Sequence, residues 1–254
     1  MKYSSNFFRD KDGIISIEFA ACFCLFSVFV FMFYDAYSSI MLQGRLERAN
    51  YAVATVFRER SALYPAMDDT NTRKDLLCRH SNSCFKSREL FDRDQMQELS
   101  KLASSLLDRE VTVKVDGLFI LQDVNNPASL EHAQFQVVSS TSCSYGICDR
   151  GIKNYFESQP PMTDKSESAR YNFSKLTPYV KRFPDFKSGL DGRWIPLYRV
   201  SMCINNDESL YLKWINTDRK ATGTLPILCS STVVLSRCND IANDANTGCP
   251  LYYR

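Results

Sequence analysis

Histidine is nearly missing from this chain of 254 residues: only His80 and His132 occur. Two imidazoles leave little room for histidine-based acid–base catalysis or metal ligation. His80 lies in a polar stretch near Cys78, and His132 follows Glu131 just ahead of a strand pattern, so both read as surface residues. Glycine is scarce as well, nine residues against a usual share of about 7%. No Gly-x-x-x-x-Gly-Lys-Ser/Thr phosphate loop is present, and neither Gly-x-Ser-x-Gly nor His-Glu-x-x-His occurs. Cys-x-x-Cys pairs are missing too. Charge of one sign is lacking: 31 Lys and Arg stand against 29 Asp and Glu, interleaved along the chain, for a net charge of +2. That balance argues against nucleic acid as a partner and for an ordinary solvated surface. Asp68-Asp69 and Asn125-Asn126 carry oxygen ligands of the kind Ca²⁺ takes, without the dense spacing of a dedicated loop. Asn172-Phe-Ser is a formal glycosylation sequon, too short a motif to carry weight. The expectation is a protein that is not an enzyme, with no catalytic residues, no metal and no cofactor.

Cysteine, by contrast, is plentiful at ten residues. Cys22 and Cys24 lie in a long apolar run near the N-terminus. Two apart on a helix, they face different directions and read as small apolar residues. The other eight all follow that run: Cys78, Cys84, Cys143, Cys148, Cys203, Cys229, Cys238 and Cys249. An even set without metal-ligand spacing points to a disulfide-bonded domain outside the reducing cytoplasm. Connectivity does not follow strictly from sequence. Nearness suggests Cys78–Cys84, Cys143–Cys148 and Cys238–Cys249, leaving Cys203 with Cys229.

The apolar run is the most informative segment. Between Ile14 and Tyr34 the only charged residue is Glu18. As a helix that stretch spans roughly 30 Å, the thickness of a bilayer core. Lys2, Arg9 and Lys11 precede it, so the positive-inside tendency keeps the N-terminus cytoplasmic and exports the rest. A secretory signal peptide has a shorter apolar core and a small-x-small site, and FMFYDAYSS at the end of this run has none. Ala20-Ala21-Cys22 resembles a lipoprotein site only superficially, since most of the apolar core follows the cysteine. A carboxylate in such a span costs about 2.5 to 3.5 kcal/mol for Asp on insertion scales, with Glu comparable, so Glu18 calls for a partner. Cleavage between Gly13 and Ile14 would give Ile14 a free amine and make Glu18 the fifth residue of the mature chain. Glu18 of one subunit could then neutralise the Ile14 amine of another, fixing axial register more securely than it adds net stability.

The residues Gly13-Ile-Ile-Ser-Ile-Glu18-Phe19, after a charged leader and before a hydrophobic helix, resemble the class III prepilin cleavage site of type IV pilin systems. Within that group the chain resembles the TadE/TadF-like minor pseudopilins of tight-adherence (Flp) pili, and its long, cysteine-bearing exported part is closer to TadF. The resemblance is specific over about residues 9 to 34. It departs from many relatives in the leader, which ends Arg9-Asp-Lys-Asp-Gly13. What it implies is a prepilin peptidase substrate whose assembly residues are Glu18 and Phe19. The implied partners are that peptidase, a sister pseudopilin and the Flp assembly platform. The implied site is the bacterial inner membrane, crossed once, with the C-terminal domain periplasmic or associated with the pilus surface.

Past the membrane, Leu42, Leu46, Ala49, Val53 and Phe57 recur at three- and four-residue spacings, and Pro65 closes the segment. This predicts a stalk helix docked on its own domain. Residues 66–86 read as a disulfide-stapled loop. A second helix is expected from Ser87 to Asp108, with Leu90, Phe91, Leu99, Leu102, Ala103 and Leu106 as its apolar face. Strand patterns follow at Val111–Leu121, Ala133–Val138, Trp194–Ile204, Ser209–Ile215 and Leu228–Leu235. Residues 157–192, rich in Pro, Ser, Asp and Lys, read as a long surface loop. The expected organisation is a leader (1–13), a transmembrane helix (14–35), a stalk helix (36–64) and an extracytoplasmic disulfide-containing domain (65–254). The expected fold class is α+β, pilin-like, with a mainly antiparallel sheet. The competing function is a signal-anchored periplasmic binding or enzymatic domain with no pilus role, which would keep its N-terminus intact.

Overall fold

A computed structural model of the chain describes residues 11–67, 78–80, 83–84, 86–143, 148–163, 173–181, 190–205, 227–238 and 249–253; for 11–16, 61, 78–80 and 83–84 it describes the backbone alone. The chain divides into two compact units. One is Met1–Leu42 with Asn206–Gly223, the other Gln43–Asn205 with Thr224–Arg254.

Helix α1 runs unbroken from Lys11 to Arg58, 48 residues without a proline. In the first unit its surface is apolar and open: Phe19, Phe23, Phe26, Phe29, Phe31 and Phe33 are all exposed. By length and composition it is the one helix among the described residues able to cross a membrane. Ser27 keeps its hydroxyl satisfied within the helix by donating to the Phe23 carbonyl at 2.8 Å.

In the second unit α1 is amphipathic. Leu46, Ala49, Val53, Ala54 and Phe57 are buried, while Tyr51 and Val56 face outward. The helix stops at Arg58, a turn at Glu59 follows, and a one-turn helix α2 (Arg60–Leu63) precedes Pro65. Of the expected stalk, 36–64, α1 carries the residues up to Arg58 and α2 those from Arg60 to Leu63, with a break at Glu59 between them. Arg237 fastens the break: its N–H donates to the Arg58 carbonyl at 3.0 Å and its guanidinium reaches Glu59 at 3.0 Å.

Two short strands, β1 (Cys78–His80) and β2 (Ser83–Cys84), pair antiparallel with Cys78 opposite Cys84 in register. Helix α3 spans Arg93–Leu107, starting later than Ser87 because Asp92 caps it, accepting from the Gln95 N–H at 3.0 Å. Leu90 and Phe91 are buried, but as extended chain ahead of the helix. On the helix itself Met96, Leu99 and Ala103 are buried, whereas Leu102 and Leu106 are exposed, contrary to the expected face. Asp108 ends it in the left-handed conformation (φ 53°), its N–H returning to the Ser104 carbonyl.

The main sheet is antiparallel, in order β4-β3-β7-β8, from β3 (Val111–Leu121), β4 (Gln134–Thr141), β7 (Leu197–Asn205) and β8 (Ile227–Leu235). Strands β3 and β7 are central and covered on both faces, which is why they read as nearly continuous apolar runs. One face carries Val113, Val115, Phe119, Tyr198, Val200 and Met202. On this side lie α1 and α3, with Phe57 edge-on to Tyr198 at 5.0 Å and to Phe91 at 5.5 Å. The opposite face holds Asp116, Leu118, Leu197, Arg199 and Cys203. Helix α4 (Arg150–Ser158) packs there through Ile152 and Phe156 against Cys203, and Met162 with Phe173 packs on Leu118 and Leu197.

Where it is described, the stretch expected as a surface loop, 157–192, carries regular structure. It contains the end of α4, a 3-10 turn at Phe173–Leu176 and β5 (Tyr179–Lys181), which pairs with β6 (Gly192–Trp194). The predicted strand Trp194–Ile204 is split by Ile195-Pro196 between β6 and β7. The expected strand Ser209–Ile215 lies outside the described residues.

Candidate functional site

Two places hold residues with a case for function: the start of α1 and a set of buried charges in the second unit. Gly13 and Ile14 fall in the first turn of α1. Glu18 lies four positions on, about 6 Å further along the axis and on the same face as Ile14. Glu18 and Phe19 are both exposed, and Phe19 stacks on Phe23 at 6.4 Å. Cys22 and Cys24 are free thiols on the same open surface.

Among the described residues, disulfides join Cys143 to Cys148, Cys203 to Cys229 and Cys238 to Cys249. Cys203 and Cys229 are register partners across β7 and β8, with Cα atoms 4.2 Å apart. Cys143–Cys148 ties the end of β4 to the segment that opens α4. The side chains of Cys78 and Cys84 lie outside the described residues, as do those of His80, Asp68 and Asp69. His132 meets Ser129 at 3.1 Å on the surface, and Asn125 closes a local turn with Asp123 at 2.7 Å. Among the described residues no three His, Cys, Asp or Glu side chains gather as a metal site requires.

The buried charges were not singled out from the sequence. Glu89 is wholly inaccessible. Its carboxylate accepts from both Arg193 nitrogens (2.7 and 3.2 Å), from Ser236 (2.8 Å) and from Tyr252 (3.0 Å). The Ser87 hydroxyl lies 2.7 Å from that of Tyr252 and can donate to it, and Tyr198 donates to the Glu89 carbonyl at 2.7 Å. Burial, with Glu89 close by, pushes both phenols well above the ordinary tyrosine range. For Arg193 burial opposes the charge, but Glu89 overrides it and leaves the guanidinium pKa raised.

A second pair bridges the central strands. Arg199 meets Asp116 at 2.6 Å, Ser139 donates to Asp116 at 2.6 Å, and Lys114 approaches it at 3.2 Å. Arg60, at the elbow after α1, is buried among Phe57, Tyr64 and Phe91 and donates to the carbonyls of Arg88 and Leu90 and to Gln95. Its burial lowers its pKa. Asn50 of α1 donates to the Val200 carbonyl (3.3 Å) and to the hydroxyls of Ser230 and Thr232 (3.2 Å each).

The Glu89 and Asp116 carboxylates are enclosed by cations and hydroxyls that neutralise them, whereas Arg60 Nη1 and Asn50 Oδ1 are buried without a hydrogen-bond partner among the described residues; the two ion pairs suit locking elements together. A signal existed for one residue: Arg199 is the single charge of β7, whereas Asp116 shares β3 with Lys114. Glu89 gave none, because it sits in a polar run beside Arg88. The groups left open to a partner are those at the start of α1. The family model described as "Putative tight adherence pilin protein F" (TadF) matches residues 6–237, from ahead of α1 through β8. No curated protein and no solved structure matches the chain.

Proposed function

The chain belongs to the TadF family and takes part in the tight-adherence pilus system, and from that premise we propose that it is a minor pseudopilin, matured by a prepilin peptidase that cuts between Gly13 and Ile14. In this reading α1 anchors the subunit in the bacterial inner membrane with its N-terminus cytoplasmic and its disulfide-bonded domain periplasmic. The partners are the peptidase, a sister pseudopilin and the assembly platform, and the role is structural rather than catalytic.

The observation that carries the reading is the continuous helix from Lys11 to Arg58 with Glu18 exposed near its start, in a stretch otherwise free of charge. A lone carboxylate there is costly in lipid. It becomes useful once a neighbour's Ile14 amine can meet it. Both groups lie in the first turns of the helix, where its dipole also favours the carboxylate.

The test is Glu18→Leu in the full chain. Membrane insertion should be unchanged, since leucine is better tolerated in the span. Recovery of the sister pseudopilin by co-purification should fall at least about tenfold, which corresponds to about 1.4 kcal/mol of lost association. Unchanged co-purification would remove the assembly role of Glu18.

A further inference from the structure

Past Tyr34 the open surface of α1 narrows to one side of the helix. By helical geometry Tyr34, Tyr37, Ile40 and Met41 share one face, and Asp35, Ser38, Ser39 and Leu42 share the other. The first set is exposed, Tyr37 at 63% and Ile40 at 72%. The second set is withdrawn: Asp35, Ser38 and Ser39 are partly buried and Leu42 is buried. The Ser38 hydroxyl also donates to the Asp35 carbonyl at 2.9 Å, within the helix. Polarity is therefore inverted. A helix that faces water hides its apolar stripe and shows its polar one. This stretch holds back a carboxylate and two hydroxyls and shows two phenol rings, an isoleucine and a methionine. In the second unit the ordinary order holds: Leu46 and Ala49 are buried, while Arg45, Glu47 and Arg48 are exposed.

We propose that Tyr34, Tyr37, Ile40 and Met41 form a one-sided contact strip for the boundary layer of a phospholipid bilayer, where acyl chains meet headgroups. The inference rests on the membrane-anchor reading above and carries lipid contact past Asp35, the expected end of the span. Inverted polarity is what an apolar surrounding demands, since polar side chains at membrane depth turn away from lipid. The length fits too. Ile14 to Tyr34 covers about 30 Å, the hydrocarbon core, and Tyr34 to Met41 adds about 10 Å, the scale of one headgroup layer. Tyrosine suits that layer, with its ring on the apolar side and its hydroxyl at the phosphates and ester carbonyls. The strip also continues the open surface of Phe29, Phe31 and Phe33 without a gap, which favours lipid over another subunit as its occupant.

The experiment reconstitutes the full chain, without other pilus components, in phosphatidylcholine vesicles. Tyr37→Trp and Ile40→Trp are compared with Ala52→Trp, an exposed position of α1 in the second unit. The emission of the natural Trp194 and Trp214 is subtracted. Quenching is read with phosphatidylcholine brominated near the headgroup end of its acyl chains. Tryptophan at 37 and 40 should be quenched at least about threefold more strongly than at 52, whatever the protein-to-lipid ratio. Quenching no stronger than at 52 would overturn the strip. Quenching that fades as the protein-to-lipid ratio rises would overturn it as well, because a second copy would then cover the face. Co-flotation of the chain with the vesicles is scored separately. A chain that does not co-float ends the anchor reading and the strip with it, whereas a chain that floats with 37 and 40 unquenched ends the strip alone.

Discussion

Glu89 shows what a single buried charge does here. Its carboxylate is shared by Arg193, Ser236 and Tyr252, which come from β6, the end of β8 and the C-terminal segment. Removing one member of a buried pair leaves the other uncompensated. Arg193→Met should therefore lower unfolding stability by about 3–5 kcal/mol in a denaturant titration. Alkali acts on the same site through the phenols. The folded-state pKa of Tyr252 lies well above its ordinary 10.0, chiefly from burial and then from Glu89. A raised folded pKa means that the stability contributed is fully present below pH 10.0, the unfolded value, and is lost as pH rises from there through the folded value. Thermal melts should hold level up to about pH 9 and fall beyond about pH 10, and Tyr252→Phe should shrink that alkaline drop. Gly117 is a third pressure point: a Cβ there would lie 2.9 Å from the Phe91 ring and 3.2 Å from that of Tyr198. Gly117→Ala should cost about 1–3 kcal/mol through overpacking of that aromatic cluster. None of these buried charges was read from the sequence: Asp116 and Arg199 pass as members of strand patterns, and the burial of Glu89 depends on residues far along the chain.

At the scale of elements, helix α1 was read correctly as apolar first and amphipathic after, because its stripe obeys helical spacing. Its break at Glu59 was not legible, since the neighbours Arg58 and Arg60 give no stop signal and the tie to Arg237 comes from the far end of the chain. Strands β3 and β8 were legible from their own residues. The start of α3 was misplaced because Leu90 and Phe91 fit a helical face, yet both belong to the extended chain before the Asp92 cap. That cap gives a test: Asp92→Ala should lower stability by about 1 kcal/mol, read by chemical denaturation. Helix α4 escaped notice because two buried residues, Ile152 and Phe156, are too few to reveal a period in a nine-residue polar segment. Phe57 of α1 is buried in its own unit, edge-on to both Phe91 and Tyr198. Phe57→Ala should cost about 3–5 kcal/mol.

On the scale of the molecule, one helix carries two surfaces with different requirements. Its first part exposes phenylalanines and a single carboxylate. Its second part buries an aliphatic stripe and Asn50 in a domain stapled by disulfides. The family match supplies the pilus context. In the function proposed above, the exposed part meets lipid or another subunit, and cleavage after Gly13 would make the amine that Glu18 pairs with. The most direct test is the N-terminus of the protein from its native host, read by mass spectrometry with the prepilin peptidase present and deleted. A terminal peptide beginning at Ile14, seen only when the peptidase is present, is the predicted result. A leader that remains intact in both strains would contradict the account, leaving Glu18 without the amine it is proposed to meet.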